Sequence, residues 1–268
     1  MNTHIRKTLL AALTQELSLH QEFEALNNAM RLLAKWKSVY LQDAFLKDGG
    51  TVVRNGPFMG MDFLANSAEG CHIAKLIGSY EQPLHEFIEK AISNNYSAIL
   101  NIGCAEGYYA VGMARRMPNT QIMAFDLNAK AQEICNALAQ KNGVSDRVKV
   151  GNLFKPEDFA SYANQRVLVL CDIEGAEREL LNPVASPALA GMDLIVESHE
   201  CLMPGVTKTL IDRFKGTHQI SLVQDNGQRR LNKMPNWFNN LSNLDQLLAV
   251  WEWRSGPTPW LVMKSKGA

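Results

Sequence analysis

Neither sign of charge is in excess in this chain: Lys+Arg and Asp+Glu both number 27, and the formal net charge is zero. No run of like charge forms a tail. The usual electrostatic reason to expect a nucleic-acid backbone as partner is therefore missing, although neutrality is compatible with a local basic patch. No run of about eighteen apolar residues occurs, so no segment reads as membrane-spanning. Met1–Leu10 lacks the apolar core and small-residue cleavage site of a secretory leader. The five cysteines (Cys71, Cys104, Cys135, Cys171, Cys201) are odd in number and without C-x-x-C spacing. They read as reduced thiols of a cytoplasmic protein. Internal repeats and low-complexity tracts are absent as well. What remains is a 268-residue chain with 46% hydrophobic content, enough for one large α/β domain and an accessory segment.

Residues 4–47 meet neither Pro nor Gly and read as one long helix. Leu9, Ala12, Glu16, Leu19, Phe23, Leu26, Met30, Leu33, Lys37 and Tyr40 step alternately by three and four, a heptad-like stripe interrupted at Glu16 and Lys37. The stripe is expected to be buried, either on the chain's own fold or against a second copy. A glycine-bearing stretch follows, with a turn at Asn55-Gly56-Pro57, and helical spacing resumes over 71–93. From Ser97 short apolar runs alternate with amphipathic ones. Strands are predicted near 98–102, 121–126, 147–150, 167–172, 193–198, 219–224 and 259–264, with helices between most of them. That alternation predicts a Rossmann-like, mostly parallel sheet with helices on both faces. The expected division is an N-terminal helical segment, 1–95, and a ligand-binding domain, 96–268. The segment 225–258, with Trp237, Trp251 and Trp253, is expected to lie over the sheet's ligand-binding end.

Ala98–Gly107 reads as a buried strand running into a glycine-bearing turn and then a helix. In open α/β sheets ligands bind beyond the carboxyl ends of the strands, and small residues there admit a ligand close to the backbone. The dinucleotide pattern G-x-G-x-x-G would put its third glycine at Tyr108, a poor fit where helix and strand must pack closely. The observed spacing is instead Gly103-x-Ala105-x-Gly107, preceded by Asn101. Asp126 ends the second strand, where a carboxylate can accept both hydroxyls of a ribose; the competing reading is a helix N-cap. Leu127 follows it. Asn152 and Leu153 end the third strand, where a side-chain amide can meet adenine or simply make a turn.

With these residues assembled, the sequence resembles the S-adenosylmethionine-dependent class I methyltransferases, and within them the FkbM-type group. Asn101-Ile-Gly-Cys-Ala-Glu-Gly107, Phe125-Asp126 and Cys171-Asp-Ile-Glu-Gly-Ala-Glu177 carry the resemblance, the last being similar to a D-x-E-G-x-E signature after the fourth strand. Asn101 stands where an acidic residue is more usual, and Ala105 where the middle glycine is. The resemblance covers roughly 75–265. It implies S-adenosylmethionine as cofactor and a seven-stranded sheet with an antiparallel final strand. It also implies an approach of Tyr80-Glu81 to the methionine end of the cofactor, and methylation of oxygen on sugars and other small metabolites.

Alignment is the protein's main contribution to methyl transfer, and a hydroxyl acceptor must also lose its proton. Asp172, Glu174 and Glu177 follow the fourth strand, and Glu197, His199 and Glu200 the fifth. Asp172 is the expected orienting carboxylate, toward acceptor or cofactor, His199 the expected base, and Glu174 a further catalytic candidate for the base's role. Glu177 reads first as an anion in the first turn of a helix. A carboxylate–histidine set can also hold Mg²⁺, but the spacing is not diagnostic and no metal is assigned. The N/D-P-P-Y/F tetrapeptide of enzymes that methylate nucleic-acid amino groups is absent. The expected function is O-methylation of a small, sugar-containing or other metabolite; the alternative is a class I enzyme acting on RNA or protein. A cofactor-binding scaffold without activity fits less well, because the acidic residues are present. Expected partners are a small-molecule acceptor and a second copy paired through the N-terminal helix.

Overall fold

A computed structural model describes the chain except residues 1, 2, 20, 66–69, 232, 233, 235, 255 and 268. Seven strands, β1 (Ala98–Ile102), β2 (Gln121–Phe125), β3 (Val148–Gly151), β4 (Val167–Cys171), β5 (Asp193–Glu197), β6 (His218–Val223) and β7 (Trp260–Ser265), form one sheet. Its order is β3-β2-β1-β4-β5-β7-β6, parallel except that β7 runs antiparallel to both neighbours. All seven predicted strands are present within a residue or two of their expected bounds. Short runs of β-branched and apolar residues, all buried in β1, β4 and β5, are what a sheet covered on both faces requires.

Helices α5 (Tyr108–Arg116), α6 (Ala129–Lys141), α7 (Glu177–Leu180) and α8 (Val206–Phe214) connect the strands. α3 (His72–Ile77) and α4 (His85–Ile92) precede the sheet, and α9 (Asn236–Asn239) and α10 (Asn243–Ala249) lie between β6 and β7. Alternate residues of each strand feed two cores. Leu100, Ile102, Val169 and Val196 pack with Leu210 and Phe214 on one face. On the other, Ile99, Leu168 and Ile195 share a core with Leu41, Phe45, Phe58 and Leu76.

The N-terminal segment corrects the expectation in two ways. The single helix over 4–47 is two, α1 (Thr3–Leu19) and α2 (Glu22–Gly49). His20 lies outside the described residues, and Gln21, extended at φ −67° and ψ 154°, holds the N-cap position of α2, its carbonyl accepting from Ala25 N–H. Glu22 and Glu24 in the first turn of α2 complement the positive end of its dipole. The second correction concerns the stripe. α2 buries Ala25, Ala29, Ser38, Leu41 and Phe45, whereas Leu19, Phe23, Leu26, Met30, Leu33 and Tyr40 are exposed. Ala25, Ala29 and Ser38 face the body of the protein together with Leu41 and Phe45, whereas Phe23 and Leu26 are exposed and Met30 and Leu33 border a cavity between α2 and α10. No described helix is long and apolar enough to cross a membrane.

Parallel register aligns the chemistry. Ile102 pairs with Phe125 and with Cys171, so Gly103, Asp126 and Asp172 leave the sheet side by side. Glu197 and Val223 both pair with Trp260. The loop after β6 and the loop before β7 therefore open at the same edge.

Candidate active site

The glycine turn between β1 and α5 is fixed by geometry. Gly103 sits at φ +79°, and a Cβ there would lie 1.6 Å from the Asp172 carbonyl oxygen. Gly107 sits at φ +91°, with a would-be Cβ 2.6 Å from Cys135 Sγ. Ala105, at φ +46°, takes up a left-handed conformation that suits glycine better. The backbone N–H of Ala105 donates to Asp126 Oδ2 at 2.8 Å and that of Asn128 to Oδ1 at 2.8 Å. The competing reading of Asp126 as a helix N-cap is not what forms: Asn128 caps α6, accepting from Lys130 N–H. Beneath the turn, the buried ion pair of Lys75 and Glu106 ties it to α3.

Gly103, Asp126, Leu127, Asn152, Leu153, Asp172 and Glu174 line one cleft of about 490 Å³, with Phe125 and Phe154 stacked edge to face in its wall. Asn101, Ala105 and Gly107 do not line it. Asn101 Oδ1 is buried at the end of β1 without a hydrogen-bond partner among the described residues.

Tyr80 and Glu81 lie outside this cleft too, on the face of the sheet covered by the N-terminal segment. Tyr80 packs edge-on against Tyr108, with ring centroids 5.5 Å apart. Burial, and then the charges of Glu81, Asp172 and Glu197 among others, push its hydroxyl pKa well up. Glu81 is buried at φ +51°; it accepts from Tyr109 OH and, at 3.0 Å, from Arg254 Nη2. Burial first, and the Glu197 charge next, raise its pKa to about 8, with Arg254 pulling the other way. A carboxyl whose folded pKa exceeds its unfolded value near 4.5 binds extra protons in the folded state across that window, so it costs stability as pH rises through it. Between about pH 5 and pH 9 the melting temperature is expected to fall, and Glu81→Gln to flatten part of that fall, as differential scanning fluorimetry on both proteins can read.

The D-x-E-G-x-E turn and the end of β5 meet at His199. Glu174 and Gly175 both adopt positive φ, 54° and 104°. This tight turn brings Glu177 Oε1 back to accept from the N–H of Ile173 and of Gly175, each at 3.2 Å. The same oxygen accepts from His199 Nδ1–H at 2.7 Å. His199 Nε2 then faces Asp172 Oδ1 at 3.5 Å, Glu174 Oε2 at 3.6 Å and Glu197 Oε2 at 3.6 Å. Burial alone would lower the His199 pKa; the hydrogen bond to Glu177 and the charges of Glu197, Glu177 and Glu174 outweigh it and raise the pKa. Glu177 moves down: burial opposes this, but the bonds from His199 and Gly175 prevail.

All three sequence-predicted catalytic residues are thus brought together, and ligand atoms of Asp172, Glu174 and His199 lie within 4.8 Å of one another. With Nδ1 held by Glu177, Nε2 is the ring atom available to a proton or a divalent cation. Sequence reasoning missed the pairing of Glu177 with His199; the second glutamate of the D-x-E-G-x-E signature was its signal. It also missed Arg254, which bridges Glu81, Glu197 and Glu252 and carries no motif at all.

The strand order and antiparallel β7 are those of the class I methyltransferase fold. Residues 84–155, from α4 through β3, match the family model described as O-methyltransferase. The release factor glutamine methyltransferase of Flavobacterium psychrophilum is 29% identical over 138 residues, 47% of this chain and 44% of that protein. The chain therefore spans under half the length of the curated relative it matches. Among solved structures, the O-methyltransferase TomG from Streptomyces achromogenes, in complex with SAM, aligns over 86% of this chain and 90% of its own at 12% identity and a TM-score of 0.46. The human methyltransferase 10 domain containing protein aligns over 87% and 96%, at 10% identity and a TM-score of 0.48.

Proposed function

We propose that the chain is an S-adenosylmethionine-dependent methyltransferase of the FkbM type that methylates an oxygen of a small metabolite, sugar-containing acceptors included. One observation carries the reading: the cleft between Asp126 and Asp172 and a separate cavity under 225–258 open on the same sheet edge, with His199 between Asp172 and Glu197. A concave, largely apolar cavity of about 1100 Å³ supports a small acceptor over RNA or a protein surface. Residues 96–268 bind the cofactor, and 1–95 cover one face of the sheet and a wall of the acceptor site. The five cysteines carry no disulfide, which suits a cytoplasmic location.

The residues present fit the cofactor. Asp126, its carboxylate oriented by two backbone N–H groups, faces the cleft where a ribose would lie. Leu127, Leu153 and Phe154 offer apolar contacts to a purine. When bound, S-adenosylmethionine supplies an already activated methyl group. The protein then has to align the acceptor and hold a proton. His199 Nε2 takes the hydroxyl proton, Glu177 keeps the imidazole in that orientation and stabilises its charged form, and Asp172 orients the acceptor. Calorimetry is expected to show binding of S-adenosylhomocysteine and none of NAD. NAD binding without S-adenosylhomocysteine binding would sink the proposal.

Pairing with a second copy along the exposed apolar residues of α2, Phe23, Leu26 and Tyr40 among them, completes the proposal, since three-and-four spacing is what a helix–helix seam needs. Leu26→Asp is expected to halve the mass seen by light scattering while the melting temperature changes little, because Leu26 is exposed. A wild-type protein already at the mass of one chain would leave the stripe for docking an RNA or protein acceptor, the second reading.

A further inference from the structure

Beside the cofactor cleft lies a larger cavity of about 1100 Å³, between α2, α10 and the loops that flank β6 and β7. Its walls are largely apolar, with Met30, Leu33, Leu244, Leu247 and Trp251 among them. Asp225, Arg229, Glu252 and Arg254 line it from the two loops. Arg31, from α2, lines it as well. Arginines in a cavity would ordinarily point to a phosphate or carboxylate ligand. Here the donors of Arg229 and Arg254 are committed elsewhere.

Arg229 donates through Nε to Glu252 Oε1 at 3.0 Å, through Nη1 to Asp225 Oδ1 at 2.8 Å and Gln228 O at 3.1 Å, and through Nη2 to Asp225 Oδ2 at 2.7 Å and to Glu252. Arg254 donates through Nε to Glu252 Oε2 at 3.3 Å, through Nη1 to Glu197 and Thr258, and through Nη2 to Glu81 at 3.0 Å and Glu252 at 3.2 Å. A guanidinium has five N–H donors, and both are saturated by the protein. Four carboxyl groups, Glu81, Glu197, Asp225 and Glu252, surround these two cations, so this cluster between the two loops is not electropositive even with Glu81 protonated. At the rim, Lys37 is paired with Asp245 at 3.2 Å.

We infer that this cavity takes the methyl acceptor, and that the acceptor is an uncharged molecule with an extended apolar body rather than a phosphorylated or nucleotide-linked one. The inference rests on the methyltransferase reading for the word acceptor, and on the cavity's lining for its chemistry. Continuity with the site supports the occupant: Glu197 holds Arg254 with one oxygen and lies 3.6 Å from His199 Nε2 with the other. The volume matches or exceeds the range of about 300–1,000 Å³ that encloses drug-sized ligands. A phosphate would find the donors of Arg229 and Arg254 already taken and carboxylates beside them, an arrangement that costs binding energy.

The test uses two probes on the full chain, the uncharged dye Nile red and uridine diphosphate glucose. Nile red fluorescence is expected to titrate to a single saturable site. Leu244→Glu and Leu247→Glu each place a charge on an apolar wall, and each is expected to weaken the dye by about tenfold or more. Both positions are exposed, so the variants keep their fold. Their affinity for S-adenosylhomocysteine is expected to stay that of the wild type. Uridine diphosphate glucose is expected not to displace the dye. Dye affinity unchanged in both variants, or displacement by uridine diphosphate glucose, would overturn the inference. Absent binding of S-adenosylhomocysteine to the wild type, with the dye result intact, would overturn the methyltransferase reading instead and is separately visible by calorimetry.

Discussion

His199→Gln is expected to lower turnover by about two to four orders of magnitude, the range that a positioned proton acceptor contributes. The measurement is transfer of a labelled methyl group to a hydroxylated acceptor under saturating cofactor. His199 does not line the cofactor cleft, so the affinity for S-adenosylhomocysteine is expected to stay unchanged in the variant. Glu177 acts through the imidazole, so Glu177→Gln is expected to reduce kcat while leaving KM nearly in place. Full turnover in His199→Gln would remove it from the chemistry. Turnover that vanishes with EDTA and returns with Mg²⁺ would make His199 a metal ligand beside Asp172 and Glu174 rather than the proton acceptor.

Asp126→Ala is expected to weaken S-adenosylhomocysteine by one to two orders of magnitude, equivalent to about 1.5–3 kcal/mol for a charge-assisted ribose contact. The carboxylate also fastens the glycine turn, through Ala105 N–H, to the end of β2. Part of the loss therefore reflects a looser turn. Asp126→Asn keeps an acceptor for the turn while removing the charge, and is expected to fall between the wild type and the alanine variant. Unchanged calorimetric affinity in Asp126→Ala would take this residue out of the site.

The sheet and the cofactor cleft were largely legible because both are local. Each strand is a short, largely apolar run beside a turn, and Gly103, Asp126 and Asp172 follow strand ends, where register alone places them together. The helix break near Gln21 left no Pro or Gly; only Glu22 and Glu24, acids at a helix start, marked it. Three-and-four spacing alone does not say which side of α2 meets the fold; burial follows Ala25, Ala29, Ser38, Leu41 and Phe45. The Arg254 cluster was invisible because its partners Glu81 and Glu197 lie 173 and 57 positions away along the chain. Nothing in a local window announces such a contact. Tyr80 and Glu81 were picked out by resemblance, yet they line the buried network behind the turn rather than the cleft itself.

Arg254 joins three parts of the chain through one planar group: Glu81 before the sheet, Glu197 at the end of β5, and Glu252 in the segment that walls the acceptor cavity. A molecule filling the cavity and displacing Arg254 would move the carboxylates behind it, including the one facing His199. Any coupling of the two ligands through this guanidinium would be mutual: the factor by which acceptor changes cofactor affinity would be the factor by which cofactor changes acceptor affinity. Titrating either ligand in the presence of the other measures it.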